Sequence, residues 1–524
     1  MASKLLQNNT NSSWMKDPGL RRLNLGIGFM LSASATAGYC ASMINGLLVL
    51  PEFSRFLDGL DTNGRGLIIA AVSLGSFCAF IPGSYIADNL GRRICVLIGS
   101  SLVIVASIIQ VATNNNWVFF GARVLAGMGV GVSQTAAPLL ITESSHPRQR
   151  QAFTGLYNAL WFIGSITSAA IGFAGLTILG SWSWKLPCLT QVFYPVLQLI
   201  GLCFVPESPR WLVSRGRKEE GMAILARYHA NGDENDELVQ DEFYQICKSI
   251  NAESDKSCRR WSTFFATRSN LHRLSICVIL GFMQEWSGNG MKNTHKAPFV
   301  PTQFLTEFLL PGVVSYYLAP ILESVGIYNA SHQAAINISM QVWNLAFAVC
   351  GAMAANRYGR RKLWLIATLL MFIYLSAAST MSGLFQELHV LEAGIAVVPM
   401  LFLFCSAYDM AYMPLFIAYP AEILPFQLRA KGLAITLTTD SMACFFNQFI
   451  NPIALGAIHW RYFTVYLGCL VIFGATIYFL FPETKGLSLE EVARIFEKEK
   501  TYQVETPSDV SQELLVFDKN GSTS

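Results

Sequence analysis

Runs of about twenty apolar residues recur along this chain, each ended by a short polar break. They lie near 24–45, 66–87, 94–112, 117–140, 152–176 and 186–205, and again near 334–355, 363–385, 393–420, 430–456 and 461–481. A helix rises 1.5 Å per residue, so about twenty apolar residues cross the hydrocarbon of a bilayer. One further run, between 273 and 328, is interrupted. The pattern predicts twelve membrane-spanning helices in two groups of six. A charged stretch, 206–272, separates the groups. Residues 1–23 are polar and basic, and the apolar run after them is too long for a signal peptide, so it reads as a first span.

Composition agrees. Of 524 residues, 52% are hydrophobic and only 14% charged, with a mean hydropathy of +0.40. A soluble domain carries roughly a quarter charged residues, so lipid has to be part of this chain's solvent. The net charge of +3 points to no nucleic-acid partner. The twelve cysteines show no CxxC spacing and mostly sit in apolar runs (Cys40, Cys78, Cys350, Cys405, Cys469). They read as buried, reduced thiols rather than disulfides or metal ligands. No cofactor is expected. No nucleophile–base or metal constellation is present that would make the chain an enzyme.

The placement of basic residues gives orientation. Arg92 and Arg93 follow the second span, Arg148 and Arg150 the fourth, Arg360 to Lys362 the eighth, and Arg429 and Lys431 the tenth. The alternate loops are short and nearly free of Lys and Arg, Arg55 and Arg65 in the first being the main exception. Both termini and the 206–272 linker are therefore expected in the cytoplasm. Asn329-Ala330-Ser331 falls in an outer loop as a glycosylation sequon at Asn329. The expected organisation is a tail (1–23), a six-helix bundle (24–205), a helical linker (206–272), a second bundle (273–481) and a tail (482–524).

The two bundles repeat each other. Gly83-Ser-Tyr-Ile-Ala-Asp88-Asn-Leu-Gly91-Arg92-Arg93 matches Gly351-Ala-Met-Ala-Ala-Asn356-Arg-Tyr-Gly359-Arg360-Arg361. Glu143 lies seven residues before Arg150, and Glu422 seven before Arg429. Pro206-Glu207 follows the sixth span and Pro482-Glu483 the twelfth. The three pairs keep their order at offsets of 268, 279 and 276 residues, which indicates a duplication. Parallel repeats about an axis along the membrane normal are a transporter architecture, with the solute between the halves. The repeated charges (Asp88, Arg92, Arg93, Glu143, Arg150, Glu207, Arg360, Arg361, Glu422, Arg429) stand at the inner ends of spans. They are expected to form a latch that holds the halves and releases as they rock; anchoring helix ends is the plainer reading.

These residues resemble the sugar porter family of the major facilitator superfamily. The likeness covers about 24–496 and includes Gly121-Ala-Arg-Val-Leu-Ala-Gly-Met-Gly129-Val-Gly131, Pro206-Glu-Ser-Pro-Arg-Trp-Leu212, Glu422-Ile-Leu-Pro-Phe-Gln-Leu-Arg429 and Pro482-Glu-Thr-Lys-Gly-Leu-Ser-Leu-Glu-Glu491. Trp286-Ser-Gly-Asn-Gly290, Ala407-Tyr-Asp-Met-Ala-Tyr-Met-Pro414 and Phe446-Asn-Gln-Phe-Ile-Asn-Pro452 are closer to its fungal lactose-permease-like and cellodextrin branch. The resemblance implies an all-α fold of twelve helices and a hexose or disaccharide moved by alternating access. It also implies a working monomer and, as the family default, the plasma membrane. Solute contacts carried over are Asn158, Gln284, Glu285, Asn289, Asn344, Asp409 and Asp440, and we add Tyr412 and Asn447 as neighbours on the same helices. Amides suit the task because a sugar hydroxyl needs both a donor and an acceptor. A polar group at membrane depth must line a cavity or find a partner.

Four departures qualify this picture. Proton-coupled relatives carry Gly-Tyr-Asp in the first span, whereas this chain has Gly38-Tyr39-Cys40. Downhill transport is favoured on that ground; coupling to protons through Glu285 or Asp440 is the other reading. Asn356 replaces an acid of the second inner motif, and Ile417 replaces a tryptophan that covers the sugar in glucose facilitators. Stacking then has to come from Tyr412, Tyr316, Tyr317 or Trp286, or is absent. Finally, Met291–Gly312 interrupts the seventh span with Lys292, His295, Lys296 and three prolines. Joining Gly290 to Val313 restores a continuous helix. The segment reads as an in-frame intron (Gly-Met permits GT-ATG, Leu305-Thr306 permits CTGAC, and Pro311-Gly312 permits a closing AG); the other reading is a real extracellular insert, which would break the central binding helix. Two other functions fit the fold: export of a fungal secondary metabolite, and a non-transporting sugar sensor. The tail of about 40 residues, disordered by composition over 501–524, is short for a sensor.

Overall fold

The computed structural model describes residues 14–60, 62–252, 261–287, 330–388, 391–458, 462–485, 492 and 495–496. Asn289, Asn329, Tyr316, Tyr317, the 291–312 segment and the tail beyond 496 lie outside them.

All regular structure among the described residues is helical. The first half comprises α1 (Pro18–Met30), α2 (Ser32–Val49), α3 (Pro51–Phe56), α4 (Thr62–Leu90), α5 (Arg92–Ala112), α6 (Asn116–Ser144), α7 (Pro147–Ala159), α8 (Trp161–Gly175), α9 (Trp182–Thr190) and α10 (Phe193–Leu202). The linker forms α11 (Pro209–Ser214), α12 (Lys218–His229), α13 (Glu237–Ala252) and α14 (Thr263–Ala266). The second half comprises α15 (Arg268–Trp286), α16 (Ala330–Tyr358), α17 (Arg360–Leu388), α18 (Leu391–Ile423), α19 (Phe426–Ile458) and α20 (Tyr462–Leu480).

Helix starts follow local chemistry. The Asp17 carboxylate accepts the Gly19 N–H at 3.2 Å, with Pro18 at the first helical position, and Asn115 caps α6 by accepting the Trp117 N–H at 2.8 Å. Three predicted spans are bent. The first divides at Leu31, the fifth at Leu160 and the sixth at Gln191–Val192. At the first bend the Ser32 hydroxyl donates to the Phe29 carbonyl at 2.5 Å and competes with the helix ladder. At the third, Pro195 has no N–H to give the Gln191 carbonyl.

Burial is arranged for lipid. On α5 the buried face carries Cys95, Gly99, Ser100, Ser107 and Gln110, while Leu97, Val105 and Ile108 are exposed. In water that arrangement would be inverted; in a membrane, small and polar residues belong between helices. Seven helical segments of the described residues are long and apolar enough to cross a bilayer. The twelve-span expectation is thus met in part by shorter or more polar helices, α15 and α19 among them. Cys78, Cys203 and Cys350 are exposed, which corrects the expectation of buried thiols: the apolar runs that hold them present one face outward.

The halves meet along α4 with α19 and α8 with α16. A cluster joins Phe416, Ile417, Leu433 and Leu437 of the second half to Ala79, Phe80, Leu140, Ile141 and Tyr157 of the first. The interface is closed on the side that carries the linker.

Candidate functional site

Two pseudo-symmetric charge clusters occupy the linker side. In the first, Glu207 accepts the backbone N–H groups of Arg92 (3.1 Å), Arg93 (3.2 Å) and Ser208 (2.9 Å). In the second, Glu483 accepts those of Arg360 (2.9 Å), Arg361 (3.2 Å) and Thr484 (3.1 Å). Each glutamate thereby caps the helix after the repeated glycine, where four N–H groups lack intrahelical partners and the helix dipole favours an anion. The glycines are required: Gly91 has φ +104° and Gly359 φ +94°. Burial holds the Glu207 carboxyl above the usual carboxylate range, against the backbone N–H groups that lower it.

Arg92, Arg93, Arg360 and Arg361 each bond a partner in their own half. Arg92 lies 3.4 Å from Glu143 and 3.5 Å from Asp88, and Ser208 donates to Glu143 at 2.5 Å. Arg360 holds Glu422 through Nη2 at 2.7 Å and Nε at 3.2 Å, and Thr484 donates to Glu422 at 2.6 Å. Arg93 donates to the Leu202 carbonyl at 2.5 Å and Arg361 to that of Tyr478. The charge of Lys431, in the second half, reaches Asp88 in the first. Arg150 sits 3.4 Å from Glu242 of the linker.

That last contact belongs to a junction the sequence reading missed. His229 meets Glu242 at 2.6 Å through Nδ1 and the Ser144 carbonyl at 3.3 Å through Nε2. Its ring lies 5.3 Å from that of His146, edge to face, and His146 accepts the Arg148 N–H at 3.3 Å. Burial pushes His146 down to about 4, with His229 adding to the shift. Burial also pushes Glu242 upward, but the hydrogen bond and charge of His229, then Arg150 and His146, outweigh it and hold the carboxyl below its usual range. Both groups take up protons more readily when the junction opens, His146 from its unperturbed 6.5. Its stability is therefore complete above about pH 6.5 and falls as pH drops toward 4. Relative to the intrinsic exchange rate at each pH, amide protection across 218–252 should be lower at pH 5 than at pH 7, and His146→Ala should flatten that dependence; equal protection at both pH values in the native chain contradicts it.

Among the described candidate solute contacts, Asn158 crosses between the halves, and the others pair within the second half. Asn158 on α7 donates to the Met413 carbonyl on α18 at 2.9 Å, crossing between halves. Gln284 on α15 points at the Met413 sulfur at 3.6 Å, and its carbonyl accepts the Tyr408 hydroxyl at 3.1 Å. Asn447 donates to the Glu285 carbonyl at 3.1 Å. Glu285 acts on Asp440 and bonds the Cys444 thiol, which the Ser73 hydroxyl reaches from the first half at 3.4 Å. Asn344 and Asp409 are each 0% exposed; with its amide turned to donate, Asn344 bonds Asp409 at 3.1 Å.

Tyr412 departs from the group. Its hydroxyl pairs with Thr368 at 2.7 Å and its ring stacks on Tyr408 inside the second half, so it offers the interface no platform. Trp161 does. It packs on the cluster around Cys40 and on that of Ala159, Ala348 and Met413. Its sequence signal was its place three residues after Asn158, on the same side of the chain across the α7–α8 bend.

The profile of the Sugar (and other) transporter family matches residues 29–293 and 299–496. The chain belongs to this family. It is a membrane transporter and not an enzyme. Between the two matched stretches only residues 294–298 are left out, and the rest of the 291–312 segment is matched. Hexose transporter 2 of Kluyveromyces lactis is 28% identical over 457 residues, covering 85% of this chain and 75% of that protein. The low-affinity glucose transporter HXT4 of Saccharomyces cerevisiae is 26% identical over 479 residues, covering 88% and 78%. The MFS-type transporter oryC of Aspergillus oryzae is 26% identical over 464 residues, covering 87% and 82%. Among solved structures, the proton:xylose symporter XylE bound to 6-bromo-6-deoxy-D-glucose superimposes with a TM-score of 0.73 at 21% identity, over 90% of this chain and 98% of that one. That likeness establishes the major facilitator fold.

Proposed function

We propose that this transporter carries a hexose or disaccharide by alternating access between its two halves. The observation that carries the reading is the convergence of amides from both halves on the Met413 region, with Asn158 bonded across the interface and Gln284 beside it. Such groups can exchange their hydrogen bonds to Met413 for those of a sugar. Two of the three relatives above have hexose or glucose in their names, which weighs against the export reading. The motifs Trp286-Ser-Gly-Asn-Gly290 and Phe446-Asn-Gln-Phe-Ile-Asn-Pro452 favour the lactose-permease-like and cellodextrin branch. Rocking of the halves opens the linker side, where the apolar cluster closes it here, and the charge clusters keep each half rigid. Cys40 in place of an acid favours downhill movement. The protein works as a monomer in the plasma membrane, with both termini and the linker inside.

The test is uptake of labelled glucose, xylose, lactose and cellobiose by a transport-null yeast, with and without residues 291–312. Saturable uptake of at least one sugar, greater in the shortened chain, is expected. No uptake of any sugar from either chain, at normal surface expression, overturns the reading. A transcript that retains the 66 nucleotides, with equal uptake from both chains, overturns the intron.

A further inference from the structure

Arg123 of α6 is only 1% exposed, and its Nε has no hydrogen-bond partner. Among the described residues, the ionisable groups that act on it are the thiols of Cys188 on α9 and Cys40 on α2, both fully buried. No carboxylate is among them. Two amides stand beside the thiols. Gln191 donates to the Cys40 sulfur at 3.0 Å. Gln110 of α5 donates weakly to Gln191 at 3.4 Å, and its own carbonyl oxygen is buried without a partner; turning that amide over would aim its N–H groups the other way. Four segments of the first half therefore meet around one permanent cation, two thiols and two amides.

A guanidinium does not give up its proton. Buried at membrane depth without a counter-charge, it is strongly unfavourable. Its own geometry says what is missing: a single negative charge that accepts guanidinium and amide N–H groups together. We propose that Arg123 anchors an anion site in the first half, filled by one monovalent anionic group, either a free halide or the carboxylate of an acidic sugar. The site is separate from the amides at the interface. Trp161 stands between the two, packed on the Cys40 cluster on one side and on the Met413 cluster on the other, so occupancy at Arg123 is communicated to the solute contacts through one ring.

The test reads binding, so it does not depend on transport of any sugar. The melting temperature of the purified full-length protein is measured at constant ionic strength as sodium methanesulfonate is replaced by sodium chloride, and separately with D-galacturonate against neutral D-galactose. A saturable rise of about 3 °C with chloride assigns the free halide; a rise with galacturonate, absent with galactose and chloride, assigns the solute carboxylate. Cys40→Asp places a carboxylate beside Arg123. It should raise the melting temperature without added anion and abolish the anion-dependent shift, and Arg123→Gln should also abolish that shift. A native melting temperature indifferent to chloride and galacturonate overturns the proposal, as does a shift that survives unchanged in Cys40→Asp.

Discussion

Gly359→Val should lower sugar uptake at least tenfold per molecule of chain expressed, and Gly91→Val should do the same. A side chain at either position meets two penalties. The left-handed backbone, at φ +94° and +104°, costs an L-residue roughly 1–2 kcal/mol. The new Cβ also lands 2.7 Å from the Glu483 carboxylate at residue 359, and 2.5 Å from that of Glu207 at residue 91. The carboxylate has to leave the N–H groups it caps, and a hydrogen bond to a charged group is worth about 1.5–3 kcal/mol. The start of α17 or α5 then loses its anchor, and with it the orientation of the Arg360–Glu422 or Arg92–Glu143 pair. Gly28→Ala is the control, because nothing lies within 4 Å of a Cβ there. Delivery to the surface and uptake are both measured. Wild-type values for the valine variants would show that the repeated glycines have no structural task.

Asn158→Ala should reduce kcat/KM for the transported sugar by about 10–100-fold, the equivalent of roughly 1.5–3 kcal/mol for a hydrogen-bonding group lost from a buried polar site. Asn158→Gln keeps the amide chemistry at a longer reach and should recover part of the loss. Asn344→Ala should cost at least as much, since it removes a donor from Asp409 where both groups are fully buried. Tyr412→Phe should act differently. Its hydroxyl serves Thr368 inside the second half, so it should lower stability by about 1 kcal/mol with little change in KM. A KM effect for Tyr412→Phe larger than for Asn158→Ala contradicts this placement.

The elements that could be read from the sequence were those fixed by local spacing. The Asp88-to-Arg92 and Asn356-to-Arg360 steps, the glycines between them, and the Pro-Glu pairs after the sixth and twelfth spans recur at nearly constant offsets, because each half builds the same cap from the same parts. What each charged group holds could not be read. The Arg92–Glu143 and Arg360–Glu422 pairs close within a half, and Arg150 reaches Glu242 of the linker as well as the Ser145 carbonyl that ends α6; the ion pairs join segments distant in sequence. Asn158 was legible as a polar residue at membrane depth; its bond to the Met413 carbonyl, 255 residues away, was not. Tyr412 read as an aromatic platform because composition cannot say which way a helix is turned. Trp161 went unnoticed for the same reason. The bends within the first, fifth and sixth spans escaped a hydropathy pattern that registers apolar length and not the state of individual carbonyls.

Counterflow in proteoliposomes tests the central claim most directly. Vesicles holding only the purified chain are loaded with an unlabelled sugar and diluted into a trace of the same sugar labelled. A carrier that exposes one site alternately to each side exchanges the two. The account predicts transient accumulation of label above its equilibrium level, slowed at least tenfold by Asn158→Ala. Label that only ever approaches equilibrium, at the rate seen in protein-free vesicles and for every sugar in the panel, would contradict it.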